Sequence, residues 1–259
     1  MENISYYLMS AVAALIALTV HEFSHALAAY KLGDGTARSF GRLSLNPMKH
    51  LDPIGTISMI FFRVGWARPV PINARNFRNP KRGFAISALA GPLSNILLAV
   101  LSALLFVAIS AGVPDAYLAY HGYYVNDTFV LRLLGTTLTF IIVFFMANIG
   151  LGVFNLLPIP PFDGSRIMYT ILPPRLYFGV MRYERQIYYF VLGWLLLGST
   201  VKRALLSVPF IASSSILSAI AGIFSLSDII STVIIFIANL IFEMWQLIPA
   251  LDLGIKFTA

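Results

Sequence analysis

The chain alternates between long apolar runs and polar connectors. A helix rises about 1.5 Å per residue, so about 20 apolar residues are needed to cross about 30 Å of hydrocarbon. Residues 6–30, 84–112 and 129–157 meet that length, a fourth apolar stretch begins near Gln186, and a last one covers 229–248. The pattern predicts about five membrane-spanning helices. Four or six are allowed, because Lys202, Arg203, Pro209 and the serines at 213–215 blur the limits of the fourth. The expected fold is an all-α polytopic membrane protein, one unit over 1–259 with its core in 6–175 and C-terminal helices over 186–250. The connector 31–82 breaks the pattern. Its apolar piece ISMIFF, at 57–62, is too short to span, and ARPVPI follows at 67–72. We expect a re-entrant loop or β-hairpin there, limited by its prolines to edge-strand pairing.

Composition supports the membrane reading: 58% of residues are hydrophobic and 11% charged, against about 45–50% and about 25% in soluble domains. The net charge of +7 does not point to nucleic acid, because the basic residues flank apolar runs. They read as topology signals. Residues 31–82 hold ten of the eighteen Lys and Arg residues, 158–186 hold four arginines, and 113–127 hold none. The positive-inside rule then places 31–82 and 158–186 in the cytosol, and 113–127 and the N-terminus outside a cell membrane crossed several times. ALA at 26–28 imitates a signal-peptide cleavage site, but no Lys or Arg precedes the apolar run and HEFSH interrupts it.

HEFSH, at 21–25, puts two histidines and a glutamate into an otherwise apolar helix. Ionisable groups at membrane depth are costly and usually mark function. His21 and His25, four apart, stack on one helical face about 6 Å apart along the axis, which suits two imidazoles on one ion. Glu22 lies beside them, placed to act on a water as general base. The bland alternative is a pair of histidines hydrogen-bonded inside the bundle. With no cysteine in the chain, a third ligand must come from His, Asp or Glu. Asp34, His50, Asp52 and Asp163 lie on the same side as the pair. Asp163 is favoured, because Pro158, Pro160 and Pro161 end the third run and Gly164 permits a turn back toward the bundle. Its competing reading is a cap for 164–172. His50 and Asp52 read as surface capping residues in a polar turn.

These residues resemble the site-2 protease family of intramembrane zinc metalloproteases over roughly 10–175. The marks are HEFSH at 21–25, NPMKHLDPIGT at 46–56, GPLSN at 91–95 and NLLPIPPFDG at 155–164. The resemblance implies one zinc per chain bound by His21, His25 and Asp163, with Glu22 as general base. It also implies that Asn155 lies near the metal and that the substrate is a membrane-spanning protein helix. Without a PDZ-like or CBS-like insert, the chain looks like a minimal member. Asn95, and Asn155 apart from that resemblance, read as interhelical hydrogen-bonding residues. Gly91, Ser94, Ala88 and Ala99 read as close helix contacts, and Trp66, Trp194 and Trp245 as interfacial anchors. The rival class is a non-enzymatic zinc-binding protein or metal transporter.

Overall fold

The computed structural model describes residues 2–55, 67–121, 128–208, 210, 213–217 and 225–246. Its main helices are α1 (Glu2–Lys31), α2 (Pro80–Gly112), α3 (Pro114–Tyr120), α4 (Phe129–Asn155), α5 (Asp163–Ile171), α6 (Pro174–Met181), α7 (Glu184–Leu206) and α8 (Leu226–Gln246). Among the described residues, four segments are long and apolar enough to cross a membrane: Ile4–Lys31, Pro80–Gly112, Phe129–Asn155 and Asp228–Trp245. Helix α7 adds a fifth if Glu184–Leu195 and Thr200–Leu206, bent by 51°, count as one span. The chain is thus an all-α, multi-pass membrane protein. Ile4, Leu8, Val12 and Ile16 recur every fourth residue on α1 and stay exposed, as do Leu93, Leu97, Leu101 and Leu105 on α2. In water such stripes would be large apolar patches; in a bilayer, acyl chains cover them.

Local sequence explains where the helices begin. Asn79 caps α2 by accepting from Arg82 N at 3.2 Å, and Pro80 follows at the first helical position, where no N–H is needed. Thr128 caps α4, its hydroxyl accepting from Leu131 N. Helices α1, α2 and α4 pack antiparallel in sequence. His25 and Ala17 of α1 meet Ser87 and Asn95 of α2, and Pro92 and Asn95 of α2 meet Gly152 and Asn148 of α4. Their core holds Ala99, Ala103, Phe106, Phe145 and Ile149, with Phe242 of α8 edge-on to both phenylalanines at ring separations of 5.9 and 5.1 Å. Trp245 packs against this core, its indole Nε1 buried, and so is more enclosed than an interfacial anchor.

Helix α4 ends early, and this positions the site. Pro92, opposite Gly152, lies about 18 Å inside α2 at 1.5 Å per residue from Pro80. Asn155 is only one turn past Gly152, so α4 stops about 13 Å short of the level where α2 begins. The prolines at 158, 160 and 161 bar further helix; the Pro160–Pro161 peptide is cis. Irregular backbone at such depth is tolerated where it lines a cavity, and Pro161, Phe162 and Asp163 do so. Gly164 closes the turn: a Cβ there would sit 2.3 Å from the carbonyl oxygens of Leu156 and Leu157.

The connector between α1 and α2 contains no strand among its described residues. A single antiparallel bridge pairs Leu51 with Ala67. The tip expected at 57–62, and Trp66, lie outside the described residues.

Candidate metal centre

His21 Nε2, His25 Nε2 and Asp163 Oδ2 form a nearly equilateral triangle. The His21–Asp163 separation is 3.1 Å, His25–Asp163 3.0 Å and His21–His25 3.0 Å. All three residues are buried. Asp163 opens α5 but does not cap it; the N-cap position belongs to Phe162, without a side-chain cap bond, and the carboxylate goes to the histidines instead. Gly91 explains how the imidazoles fit against α2. A Cβ at that position would lie 2.4 Å from His25 Nε2 and 2.7 Å from His21 Cε1.

The hydrogen bonds behind the triangle fix the tautomers. His25 Nδ1 lies 2.7 Å from the Ser87 carbonyl oxygen, which can only accept, so Nδ1 carries the proton and donates. For His21 the same conclusion runs through two asparagines. Asn148 Nδ2 donates to Phe144 O at 2.8 Å, turning Asn148 Oδ1 toward Asn95. Asn95 Nδ2 donates to that oxygen at 2.8 Å and to Ala17 O at 3.2 Å, so Asn95 Oδ1 faces His21 Nδ1 at 2.6 Å and must receive its proton. In the neutral imidazoles both Nε2 atoms then present lone pairs, facing a carboxylate oxygen and each other. Three such atoms at 3.0–3.1 Å repel unless a cation lies between them. Their spacing is close to the edge of about 3.3 Å expected for a tetrahedral ion with ligands at about 2.0–2.1 Å. The donor set fits zinc with its fourth position open. Asn95, read from sequence as a helix-packing residue, therefore also orients His21. Asn148 carried no signal of its own in the sequence.

A cavity of about 470 Å³ opens beside the triangle. It is lined by His21, Glu22, His25 and Asp163, by Asn155, by Ala67, Pro69, Val70 and Ile72 of the strap 67–72, and by apolar side chains of α4 and α7. Glu22 is buried, and its Oε2 accepts a 3.2 Å hydrogen bond from Val70 N in the strap. Asn155 spends one amide N–H on Leu151 O at 3.0 Å, within its own helix, and lies at the cavity wall with the triangle.

The other same-side candidates lie elsewhere. Among the described residues, only His21, His25 and Asp163 gather as a metal-ligating group. Asp34 is fully buried and accepts from Thr36 N and Oγ1, Asn73 N and Asn76 Nδ2 at 3.1, 2.5, 2.7 and 2.7 Å, joining the end of α1 to the strap's exit. Burial pushes its carboxyl up, but these donors more than reverse that and hold it below the usual carboxylate range. Asp52 caps a turn, accepting from Gly55 N at 2.8 Å, as expected. His50 does not lie at the surface: it is fully buried, its Nε2 donating to Ser44 O at 2.7 Å while its backbone carbonyl receives Arg68 N at 2.8 Å. A polar turn can be buried when its own backbone supplies the partners.

Residues 9–198 match the profile of peptidase family M50. The Bacillus subtilis protein named "Putative zinc metalloprotease YwhC" is 39% identical over 180 residues, covering 67% of this chain and 76% of its own length. "Putative zinc metalloprotease Rip2" of Mycolicibacterium smegmatis is 35% identical over 91 residues, covering 34% of this chain and 35% of its own. No solved structure matches the chain significantly.

Proposed function

Because the chain belongs to peptidase family M50, the site-2 protease family, we propose that it cleaves membrane-spanning protein helices, using one zinc held by His21, His25 and Asp163. The observation that carries this reading is the triangle of three lone-pair atoms with both imidazole Nδ1 protons committed elsewhere. Bound there, zinc would polarise the scissile carbonyl and lower the pKa of a water to about 7. Glu22 would take the proton of the water that attacks the carbonyl carbon and return it to the leaving amine nitrogen. With Val70 N–H on Oε2, Oε1 is the oxygen free to do so. Asn155 has a second amide N–H to offer the reacting carbonyl oxygen as charge develops on it.

The cavity supports a narrow entry. Its 470 Å³ is about the volume of one helical turn roughly 10 Å wide and 5.4 Å high, so it holds about one turn's worth of substrate chain. Val191, Leu192 and Leu195 of α7 and Leu151 and Phe154 of α4 offer apolar walls to its side chains. The strap favours one kind of main-chain pairing. Arg68 N and Val70 N are already used, and Pro69 and Pro71 have none. A substrate strand laid along it would donate its own N–H groups to strap carbonyls. By the distribution of Lys and Arg, cleavage occurs near the cytosolic face of the cell membrane.

The test is Glu22→Gln, which keeps the shape and leaves the three ligands in place. The purified variant should bind zinc like the wild type, yet cut single-span substrates at least ~100-fold more slowly, the lower end of what general-base catalysis contributes. Cleavage at the wild-type rate would overturn the mechanism. If neither form cuts any helix and both carry zinc into vesicles, the chain is a transporter.

A further inference from the structure

The strap over the cavity has almost no means of holding itself in place. In Arg68–Pro69–Val70–Pro71 two residues lack an N–H, and the remaining two donate away from the strap, to His50 O and to Glu22 Oε2. No ladder of hydrogen bonds along it is possible. What secures it from behind is Arg42. Its Nη2 donates to the carbonyl oxygen of Arg68 and, at 3.4 Å, to that of Pro69, which belongs to the same peptide group as the Val70 N–H. Arg42 is itself only 6% exposed, and its backbone is fixed by Arg42 N donating to Ala37 O at 2.8 Å. It is absent from the cavity wall, so its hydrogen-bonded route to the site runs through the strap. A guanidinium is costly to bury and is retained where its donors are needed; consecutive carbonyls on either side of a proline, outside any strand ladder, are such a need. A hydrophobic side chain would fill the same space and leave both carbonyls unsatisfied.

We propose that Arg42 is a positioning residue for proton transfer: by clamping the Arg68 and Pro69 carbonyls it holds the Val70 N–H on Glu22 Oε2, and so sets where the carboxylate points. The proposal rests on the reading of Glu22 as the general base. A carboxylate on a long side chain with a free terminal torsion needs such an anchor, because misplacing a reacting group by about 1 Å can cost about 100-fold in rate.

The experiment uses the full chain in detergent with a single-span substrate, and measures kcat, KM, zinc content and thermal midpoint. Wild type and Glu22→Gln come first; equal cleavage by these two sinks the general-base reading whatever Arg42 does. With that reading intact, Arg42→Gln is expected to keep its zinc and KM while kcat falls about 10–100-fold. Val70→Pro, which deletes the N–H without touching Arg42, should show the same defect. The double variant should be no slower than the slower single one, since both changes disable one device. Wild-type kcat in either single variant overturns the proposal. So do losses that multiply in the double variant, or a loss in Arg42→Gln that merely tracks lost zinc. Should Arg42→Gln fail to fold, Val70→Pro decides: normal kcat there removes the link between strap and carboxylate.

Discussion

Asn148 stands two side chains behind the triangle, yet it decides which nitrogen of His21 faces inward. Its amide is locked by Phe144 O, so Asn95 has one orientation available, and His21 has one tautomer compatible with Asn95 Oδ1. Groups that hold a metal-ligating imidazole typically matter by about 10–100-fold in metal affinity or activity. Asn148→Leu fills a similar volume and removes the lock. Zinc affinity is expected to fall within that range, read by competition with a chelator, while the variant stays folded. Unchanged affinity would mean that Ala17 O alone orients Asn95. HExxH was legible because its spacing is itself the chemistry. Asn148 and Arg42 were not, since an asparagine or arginine in sequence names neither its partner nor its depth.

At the scale of elements, the strap is held at its exit by Asp34, which joins α1 to Asn73 and Asn76. A carboxyl whose folded pKa is below its unfolded value of about 3.9 adds stability that is full above that value. This stability is lost as pH falls through the folded pKa. Asp34 is of this kind. Asp34→Asn should therefore cost about 1–3 kcal/mol at neutral pH, the range for leaving buried donors without a charged acceptor. The gap to wild type should close as the pH drops below about 3.9. Thermal unfolding in detergent at several pH values checks this, and an equal deficit at pH 3 and pH 7 would remove charge as the cause. The early end of α4 was half visible in the sequence. The prolines forbid helix beyond Leu157, but only the pairing of Gly152 with Pro92 reveals that the break lies deep in the bundle.

For the whole molecule, the prediction concerns which side of the membrane the centre approaches. From the Lys and Arg distribution, residues 31–82 are expected in the cytosol, and the centre lies about 9–15 Å in from Lys31 along α1, at the positions of His25 and His21. The cysteine-free chain makes this simple to check. Arg78→Cys and Asp115→Cys alter exposed residues at opposite ends of α2. An impermeant thiol reagent on intact cells should label position 115 and leave position 78 unmodified until the membrane is opened. The reverse pattern would invert the orientation and place cleavage at the outer face.

Apolar run length by itself determined an all-α membrane fold of about five spans, because hydrocarbon thickness and helix rise leave few other solutions. Periodicity determined that His21 and His25 share a face, and the absence of cysteine limited the third ligand to a few residues. Among Asp34, His50, Asp52 and Asp163 the sequence favoured Asp163, and the tertiary structure brings that carboxylate, and none of the other three, to the two histidines. That meeting depends on the depth at which α4 stops and the direction in which the proline turn leaves it, and neither is encoded in any local window. Tertiary structure also decided that Asp34, in sequence a candidate ligand, and Arg42, in sequence one of the basic residues read as topology signals, are buried fasteners of the strap. A buried charge survives only where partners distant in sequence meet it. Which partners those are is settled when α1, the strap and α2 pack together.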